Sequence, residues 1–385
     1  MSDAPGRRRI VLLFGGRSAE HDVSRMSAVT FLRALDPAKF DVLPIGISPD
    51  GAWSVSDSAL ALHRRDAGTE SMLQVEIGGA STSPTAALGA AGAADELSPD
   101  GFSFDARPVV IPVLHGPNGE DGTVQGLLEL AGVPYVGPGV LGSALSMDKA
   151  VAKVMLAAAG IPQAKWLARR SWELADGAAI ASFTSHVAAE IGWPVFVKPA
   201  NMGSSVGVSK AAGPEELGDS LAEAMRFDDT IVVEEAILGR EIEFAVMGNE
   251  VVEVSAAGEI FPGASFYDYD DKYVNARANY AIPAAISAED LLEGQRLAEL
   301  AYRALRCEGM ARVDFFLDDG STGGDGRGWV INEANTIPGF TPISMYPKLW
   351  EAAGVTHAQL VERLIELAES RFERRLGRVG RSRFG

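Results

Sequence analysis

The sequence predicts an α/β protein that opens with a doubly wound parallel-sheet domain and continues into α+β units. Two observations carry this. Short apolar runs alternate with segments of helical period from residue 10 to residue 131, and such alternation builds a parallel sheet with helices on both faces. Much later, apolar runs at 311–317 and 329–332 flank a glycine-rich stretch at 318–328, the pattern of an antiparallel hairpin.

The elements follow in order. The run 10–14 reads as a buried strand, and Gly15-Gly16 as the turn that ends it. Ala28, Phe31, Leu32 and Leu35 recur at i, i+3, i+4 and i+7 and mark a helix face, stopped by Asp36-Pro37. Strands follow at 40–47 and 109–114, then a helix marked by Val124, Leu127, Leu128 and Ala131 and closed by Gly132 and Pro134. Residues 78–101, rich in Ala, Gly, Ser and Thr, keep no period and read as a surface insertion.

Val151, Val154, Met155 and Ala158 give another helix face, closed by Gly160 and Pro162. A short strand at 195–198 leads into a glycine-rich loop, and 231–233 and 242–247 read as strands. Leu297, Leu300, Ala301 and Ala304 belong to a long helix with Ser287 as its N-cap. Leu360, Arg363, Leu364 and Leu367 mark a last helix, and the basic stretch from Arg371 onward reads as a solvated, frayed terminus.

Composition narrows the function. A chain of 385 residues suits two or three domains, and 47% hydrophobic with 22% charged residues is ordinary for a globular protein. A net charge of −18 repels nucleic acid and anionic membranes. It also repels nucleotides, so a nucleotide site needs a local cluster of Lys and Arg. The single cysteine, Cys307, excludes an internal disulfide framework and a multi-cysteine zinc site, and reads as a small buried side chain. The run 10–14, behind Arg7, Arg8 and Arg9, is too short for a signal-peptide core or a membrane span. The expected compartment is the cytoplasm.

Four clusters can carry chemistry. Gly203-Ser204-Ser205-Val206-Gly207 follows the strand that ends at Lys198. Small residues there let backbone N–H groups close over phosphate oxygens; a plain flexible turn is the alternative. The loop is no Walker A motif, since no Gly-Lys-Ser/Thr follows, and it lacks the full GxGxxG fingerprint. Arg312 and Asp314 share one side of a strand, as do Glu333 and Asn335. Three hard oxygen ligands plus an arginine suit Mg²⁺ and phosphate, although a cross-strand salt bridge uses the same residues. His115-Gly116-Pro117-Asn118-Gly119-Glu120-Asp121-Gly122 ends a strand and opens a helix, as a ligand site or a tight turn. Phe266-Tyr267-Asp268-Tyr269-Asp270-Asp271-Lys272-Tyr273 reads as a loop holding polar aromatics over a site, or as an exposed acidic loop.

Taken together, these residues resemble the D-alanine–D-alanine ligase family over 10–369. The resemblance rests on Gly15-Gly16-Arg17-Ser18-Ala19-Glu20-His21-Asp22-Val23-Ser24, the His115 loop and Ser146-Met147-Asp148-Lys149. It rests also on 198–210, 267–273 and 333–345 in that order. The sequence departs from the commonest pattern in the longer 78–101 stretch, and in Ile337 and Met345, where other aliphatics are usual. None of these touches the chemistry.

The resemblance implies a substrate-binding α/β domain at 1–140 and an ATP-grasp fold of two α+β subdomains at 141–233 and 234–372. A basic tail at 373–385 follows. It implies that two D-alanines are joined at the expense of ATP, through a D-alanyl phosphate, for peptidoglycan precursor synthesis. Lys149, Lys198, Ser204, Ser205, Glu234, Glu241, Tyr267, Lys272, Asn332 and Glu333 would meet ATP. Asp314, Glu333 and Asn335 would hold two Mg²⁺ or Mn²⁺. Glu20 would bind the first D-alanine's ammonium, with His115 nearby, and Ser344 the second's carboxylate. Arg312 and the Gly339 N–H would stabilise the tetrahedral intermediate, and Glu20, Ser204 and Tyr273 would form a linking hydrogen-bonded set. A homodimer is the implied assembly. The nearest rival is a D-alanine–D-lactate ligase, which in the family goes with Phe at the position of Tyr273. Wider rivals are another ATP-grasp carboxylate–amine ligase and a nucleotide-binding regulator without turnover.

Overall fold

The computed structural model describes residues 7–78, 81–84, 88, 107–261 and 279–378. Three sheets organise them. The first has strand order β4-β3-β2-β1-β5, with β1 Arg8–Gly15, β2 Phe40–Ile47, β3 Trp53–Val55, β4 Ser81–Thr82 and β5 Val109–Val113. β1 pairs in parallel with β2 and β5, while β3 and β4 extend the edge antiparallel.

Alternation along β1 sorts its side chains between two cores. Ile10, Leu12 and Phe14 point to one, with Phe31 and Leu32 of helix His21–Ala34. Val11 and Leu13 point to the other, with Val124 and Leu128 of helix Thr123–Ala131. Helices therefore cover both faces of a parallel sheet, as the sequence predicts.

The second sheet runs β6-β9-β7-β8, all antiparallel: β6 Trp166–Arg170, β7 Val195–Pro199, β8 Ser209–Ala211 and β9 Thr230–Glu235. Its own core joins Val195, Val197, Ile231 and Val233 to Phe183, Val187, Leu217 and Leu221 of two helices.

The third sheet runs β13-β12-β10-β14-β15, with β11 also on β10. Its strands are β10 Arg240–Gly248, β11 Val252–Val254, β12 Gly258–Phe261, β13 Asn279–Ala281, β14 Gly309–Asp318 and β15 Gly328–Asn335. One face packs on helix Ala288–Ala304, capped by Ser287, whose side chain accepts from the Asp290 N–H. On the opposite face Ala245, Met247 and Met310 join the core of the first sheet through Tyr346, Leu349 and Leu364.

β15 carries one extra residue. Glu333 pairs with Asp314, but Ile331 pairs with Phe315, so Asn332 bulges out of the ladder. Side chains alternate along a strand, and one inserted residue reverses the alternation beyond it. Glu333 and Asn335 therefore take one face, while Ile331 and Trp329 swing to the helix-covered core with Phe315 and Leu317. There Trp329 meets Phe315 and Phe244 at ring-centroid distances of 5.5 and 5.7 Å.

Three expectations are corrected. Helix Lys149–Ala158 exists, but its buried face is Ala152, Lys153 and Leu156, and Val151 and Val154 are exposed. The inner face meets Glu234, so a lysine belongs there. The last helix runs His357–Leu376, so residues 371–376 are no frayed tail. Arg371 is 2% exposed, donates to the carbonyls of Tyr135 (2.7 Å) and Gly137, and lies over the Tyr135 ring. Finally, part of the 78–101 stretch is built into the fold: β4 pairs with β3, and Leu88 is buried. Cys307 is buried as expected, and burial pushes its thiol up to about 12. Among the described residues, no helix is long and apolar enough to cross a membrane.

Candidate active site

Three structural pieces converge on one cleft: the ends of β1 and β5, the glycine-rich loop, and the open face of the third sheet. Glu20, His115, Ser204, Arg312, Glu333, Asn335, Gly339 and Ser344 all line it.

At its first wall, Glu20 immediately precedes helix His21–Ala34, and its backbone N–H donates to Ser18 Oγ at 3.2 Å. Ser18 Oγ in turn donates to the His115 carbonyl at 2.7 Å, tying the two motifs. Ser204 reaches over and donates its hydroxyl to Glu20 Oε1. The loop allows this because Ser204 and Ser205 adopt left-handed backbone, with φ of 48° and 60°. A Cβ at Gly203 would lie 2.7 Å from Glu20 Oε2, so any other residue there would push that carboxylate aside.

His115 is fully buried, and burial lowers its pKa. Its Nδ1 lies 2.9 Å from the Ile337 carbonyl, so that nitrogen carries the proton. Nε2 then accepts from Ser27 Oγ at 3.3 Å, and Ser27 accepts from the Phe340 N–H. Glu120 lies beside it and accepts from the Gly116 and Ile337 N–H groups. Burial, with Glu20 nearby, holds the Glu120 carboxyl well above the ordinary range. Sequence reasoning placed Glu120 in a motif but gave it no part.

The third sheet supplies the charged floor. Register puts Glu243, Asp314 and Glu333 in one row across β10, β14 and β15. Arg312 faces the same way, two residues from Asp314, and grips it with two bonds of 2.8 and 2.7 Å. Arg312 Nε is also 3.2 Å from Glu243 Oε2. Burial opposes the guanidinium's charge, but Asp314 and Glu243 outweigh it and raise its pKa. Asn335 donates to Asp314 at 3.2 Å and lies 3.5 Å from Glu333. Asn332, in the bulge, and Glu241, two residues before Glu243 on β10, flank this row.

A second group holds the lysines. Glu234, on β9, accepts from Lys198 at 2.9 Å and pairs with Lys153 at 3.4 Å. Burial alone would raise the Glu234 carboxyl, but Lys198 and Lys153 pull it down to about 2. Burial lowers Lys149 and Lys153, whereas at Lys198 the charge of Glu234 overrides burial and the pKa rises. Lys149 donates to the Met202 carbonyl at 2.6 Å, beside the glycine-rich loop. This is the local cationic cluster that the acidic chain needs for a nucleotide. Lys153 and Glu243 were not singled out from sequence; the Glu-Ile-Glu-Phe alternation at 241–244 is the one signal that could have found Glu243.

The far side of the cleft is shaped by the segment after β15. Phe340 stacks on Phe31 at 4.2 Å, which fixes Gly339 at the cleft wall. Ser344 is the N-cap residue of helix Met345–Ala352, and its Oγ accepts from the Thr341 N–H at 3.0 Å. Asn279, Tyr280 and Lys348 complete this side. Tyr267, Lys272 and Tyr273 lie outside the described residues.

Three comparisons place these features among known proteins. The D-ala D-ala ligase N-terminus family matches residues 9–138 and the D-ala D-ala ligase C-terminus family residues 155–366. A D-alanine–D-alanine ligase of Geobacillus thermodenitrificans (strain NG80-2) is 43% identical over 95% of this chain and 97% of its own. One from Deinococcus radiodurans is 46% identical, covering 94% and 98%. Among solved structures, the D-alanine–D-alanine ligase of Coxiella burnetii superposes with a TM-score of 0.75 at 33% identity, covering 96% of each chain. A D-Ala:D-Ser ligase from Enterococcus faecalis gives 0.73 at 32% identity, covering 94% and 99%. Two family matches spanning both ends, full-length relatives and a shared three-sheet fold agree: the chain belongs to the D-alanine–D-alanine ligase family, whose members are ATP-dependent ligases.

Proposed function

We propose that this chain joins two D-alanines at the cleft between the glycine-rich loop and the third sheet, with roles for the individual residues as follows. The observation that carries the reading is the single cleft shared by Glu20, Ser204, Arg312, Glu333, Gly339 and Ser344. It brings an ammonium acceptor, a phosphate loop and an oxyanion site within reach of one substrate pair. The three sheets serve as three domains, with the second boundary after Glu235, where β9 ends, rather than after residue 233.

A carboxylate is a poor acyl donor. One carboxylate oxygen of the first D-alanine attacks the γ-phosphorus of ATP, and ADP leaves. Lys149, Lys198, Ser204 and Ser205 hold the phosphates, Glu234 and Asn332 lie towards the base and phosphates, and Glu241 takes the ribose. The amine of the second D-alanine, having lost a proton, attacks the acyl phosphate carbon. The tetrahedral intermediate collapses with loss of inorganic phosphate. Glu20 holds the first ammonium, Ser344 the second carboxylate, and Arg312 and the Gly339 N–H face the developing oxyanion. Positioning supplies much of the rate. Tyr267, Lys272 and Tyr273 act with them by resemblance alone.

The residues present fit a divalent cation. Two buried carboxylates, Glu243 and Asp314, and the half-buried Glu333 stand in one row with one guanidinium, and excess buried charge calls for a counter-ion. Among the described residues no group of three or more His, Cys, Asp and Glu is placed to hold a metal ion by itself. Mg²⁺ needs no such group, since it takes one or two carboxylates and completes its shell with water and substrate phosphates. Asp314, Glu333 and Asn335 would hold Mg²⁺ or Mn²⁺, whose bound charge polarises the phosphates. We place the enzyme in the cytoplasm, as a homodimer.

The test is phosphate release from ATP against D-alanine, L-alanine, D-serine and D-lactate, with the product identified by mass. D-alanyl-D-alanine as the main product supports the reading. ATP turnover without any dipeptide overturns it.

A further inference from the structure

Glu243 has no part in the chemistry assigned so far, yet it stands in the middle of the charged floor. It is 4% exposed and sits on β10 directly opposite Asp314. Its Oε2 lies 3.2 Å from Arg312 Nε, while Arg312 gives two hydrogen bonds to Asp314. Two acids on neighbouring strands thus flank one guanidinium, Asp314 through hydrogen bonds and Glu243 as an ion pair.

A divalent cation on Asp314 would draw on the same two oxygens that accept from Arg312, and so weaken those bonds. When its oxygens turn to the metal, the grip on Arg312 loosens. A freed guanidinium would follow Asp314 and compete for it, or drift from the cleft. Glu243 is placed to prevent both: it lies on the same face, one strand away, and is too buried to be claimed by water. We propose that Glu243 is a positioning residue that retains Arg312 when Asp314 takes the divalent cation. Its carboxylate holds Nε, and the outer N–H groups stay free for the reacting carbonyl. The inference rests on Asp314 being a metal ligand, as proposed above. Groups that orient or compete with a metal's ligands commonly change affinity by about 10–100-fold when mutated.

Metal binding, not turnover, is the readout. Mn²⁺ is titrated with a non-hydrolysable ATP analogue present, and free Mn²⁺ is followed by electron paramagnetic resonance. Glu243→Gln should weaken binding by about tenfold or more, because Arg312 stays on Asp314. Glu243→Asp should act in the same direction, since the shorter acid keeps its charge but withdraws from the guanidinium; it also serves if the glutamine variant fails to fold. In an Arg312→Met background, Glu243→Gln should change binding by less than about twofold, as expected when one residue acts through the other. Equal weakening in both backgrounds would overturn the proposal, as would wild-type binding by Glu243→Asp, because Glu243 would then act only as bulk negative charge. An Asp314→Asn variant with unchanged Mn²⁺ affinity would instead remove the metal-site reading itself.

Discussion

The Ser204 hydroxyl donates to Glu20, a residue 184 positions earlier in the chain. This bond closes the glycine-rich loop of the second sheet onto the cleft wall beside the first.

Ser204→Ala should therefore weaken use of the first D-alanine without unfolding the protein. A hydrogen bond to a charged group is worth about 1.5–3 kcal/mol, so kcat/KM should fall by roughly 10–100-fold. Steady-state kinetics with thermal unfolding as a control measures this. An unchanged kcat/KM would separate Ser204 from substrate binding.

Glu333→Gln should remove most turnover in Mg²⁺ and raise the concentration of Mn²⁺ needed for half-maximal rate. The glutamine keeps the side chain's size and loses an anionic oxygen. The wild-type enzyme should stop in excess EDTA and recover when Mg²⁺ is restored. Full rates in EDTA would count against the whole divalent site.

Lys153→Met should cost stability and alter the nucleotide site together. Lys153 is buried against Glu234, and removing one partner of a buried ion pair costs about 3–5 kcal/mol. The loss here should lie at or below that range, since Lys198 also pairs with Glu234. Lys198 should then be held more tightly by Glu234, and KM for ATP should rise. Urea unfolding and ATP kinetics are the two measurements.

Acid stability should report on the same carboxylate. Folding depresses the Glu234 carboxyl from 4.5 to about 2. Above pH 4.5 the group is ionised in both states, and its contribution is complete. As pH falls towards 2 the unfolded chain takes up a proton that the folded one refuses, so stability is lost across that window. Glu234→Gln should flatten the loss between pH 4.5 and 2 in unfolding curves, and an equally steep curve would contradict the assignment.

Deleting Asn332 should be far worse than replacing it. Without the extra residue, β15 must either carry Glu333 and Asn335 away from Arg312 and Asp314 or bring Trp329 and Ile331 out of the core. Either alternative exposes large apolar side chains or buries charge, each worth several kcal/mol, on the order of 3–5. Asn332→Ala keeps the register and should stay folded. Comparing the thermal midpoints of the two variants decides.

The bulge also shows where sequence reading stops. Arg312 with Asp314, and Glu333 with Asn335, were legible as same-face pairs because alternation over two residues is local. That Asn332 leaves the ladder is not local, since it depends on what β14 presents opposite. Glu243 was hidden for the same reason: only register sets it against Asp314. The parallel sheet and the helix with Ser287 as its cap were legible because apolar period and capping residues act over a few positions. Lys153 was missed because valines normally mark the inner face of a helix, and here the inner face belongs to an ion pair. Arg371 was read as part of a tail because charge at a chain end usually means solvent, whereas two backbone carbonyls need its donors.

The last helix, His357–Leu376, buries Leu360, Val361, Leu364 and Ile365 in the same core as Ile10, Leu12 and Phe14 of the first strand. A ribosome makes the first of these segments long before the second. Until the last helix emerges, helix His21–Ala34 covers that face of the N-terminal sheet alone, and the apolar surface that the two helices share stays open, although that domain's own strands and turns are already complete. The nascent first domain therefore travels with part of an apolar face open until the last helix is made, a state that chaperones recognise. Truncation before residue 357 should leave that face open for good, so that a stop codon late in the reading frame yields an aggregating product and not a shortened enzyme.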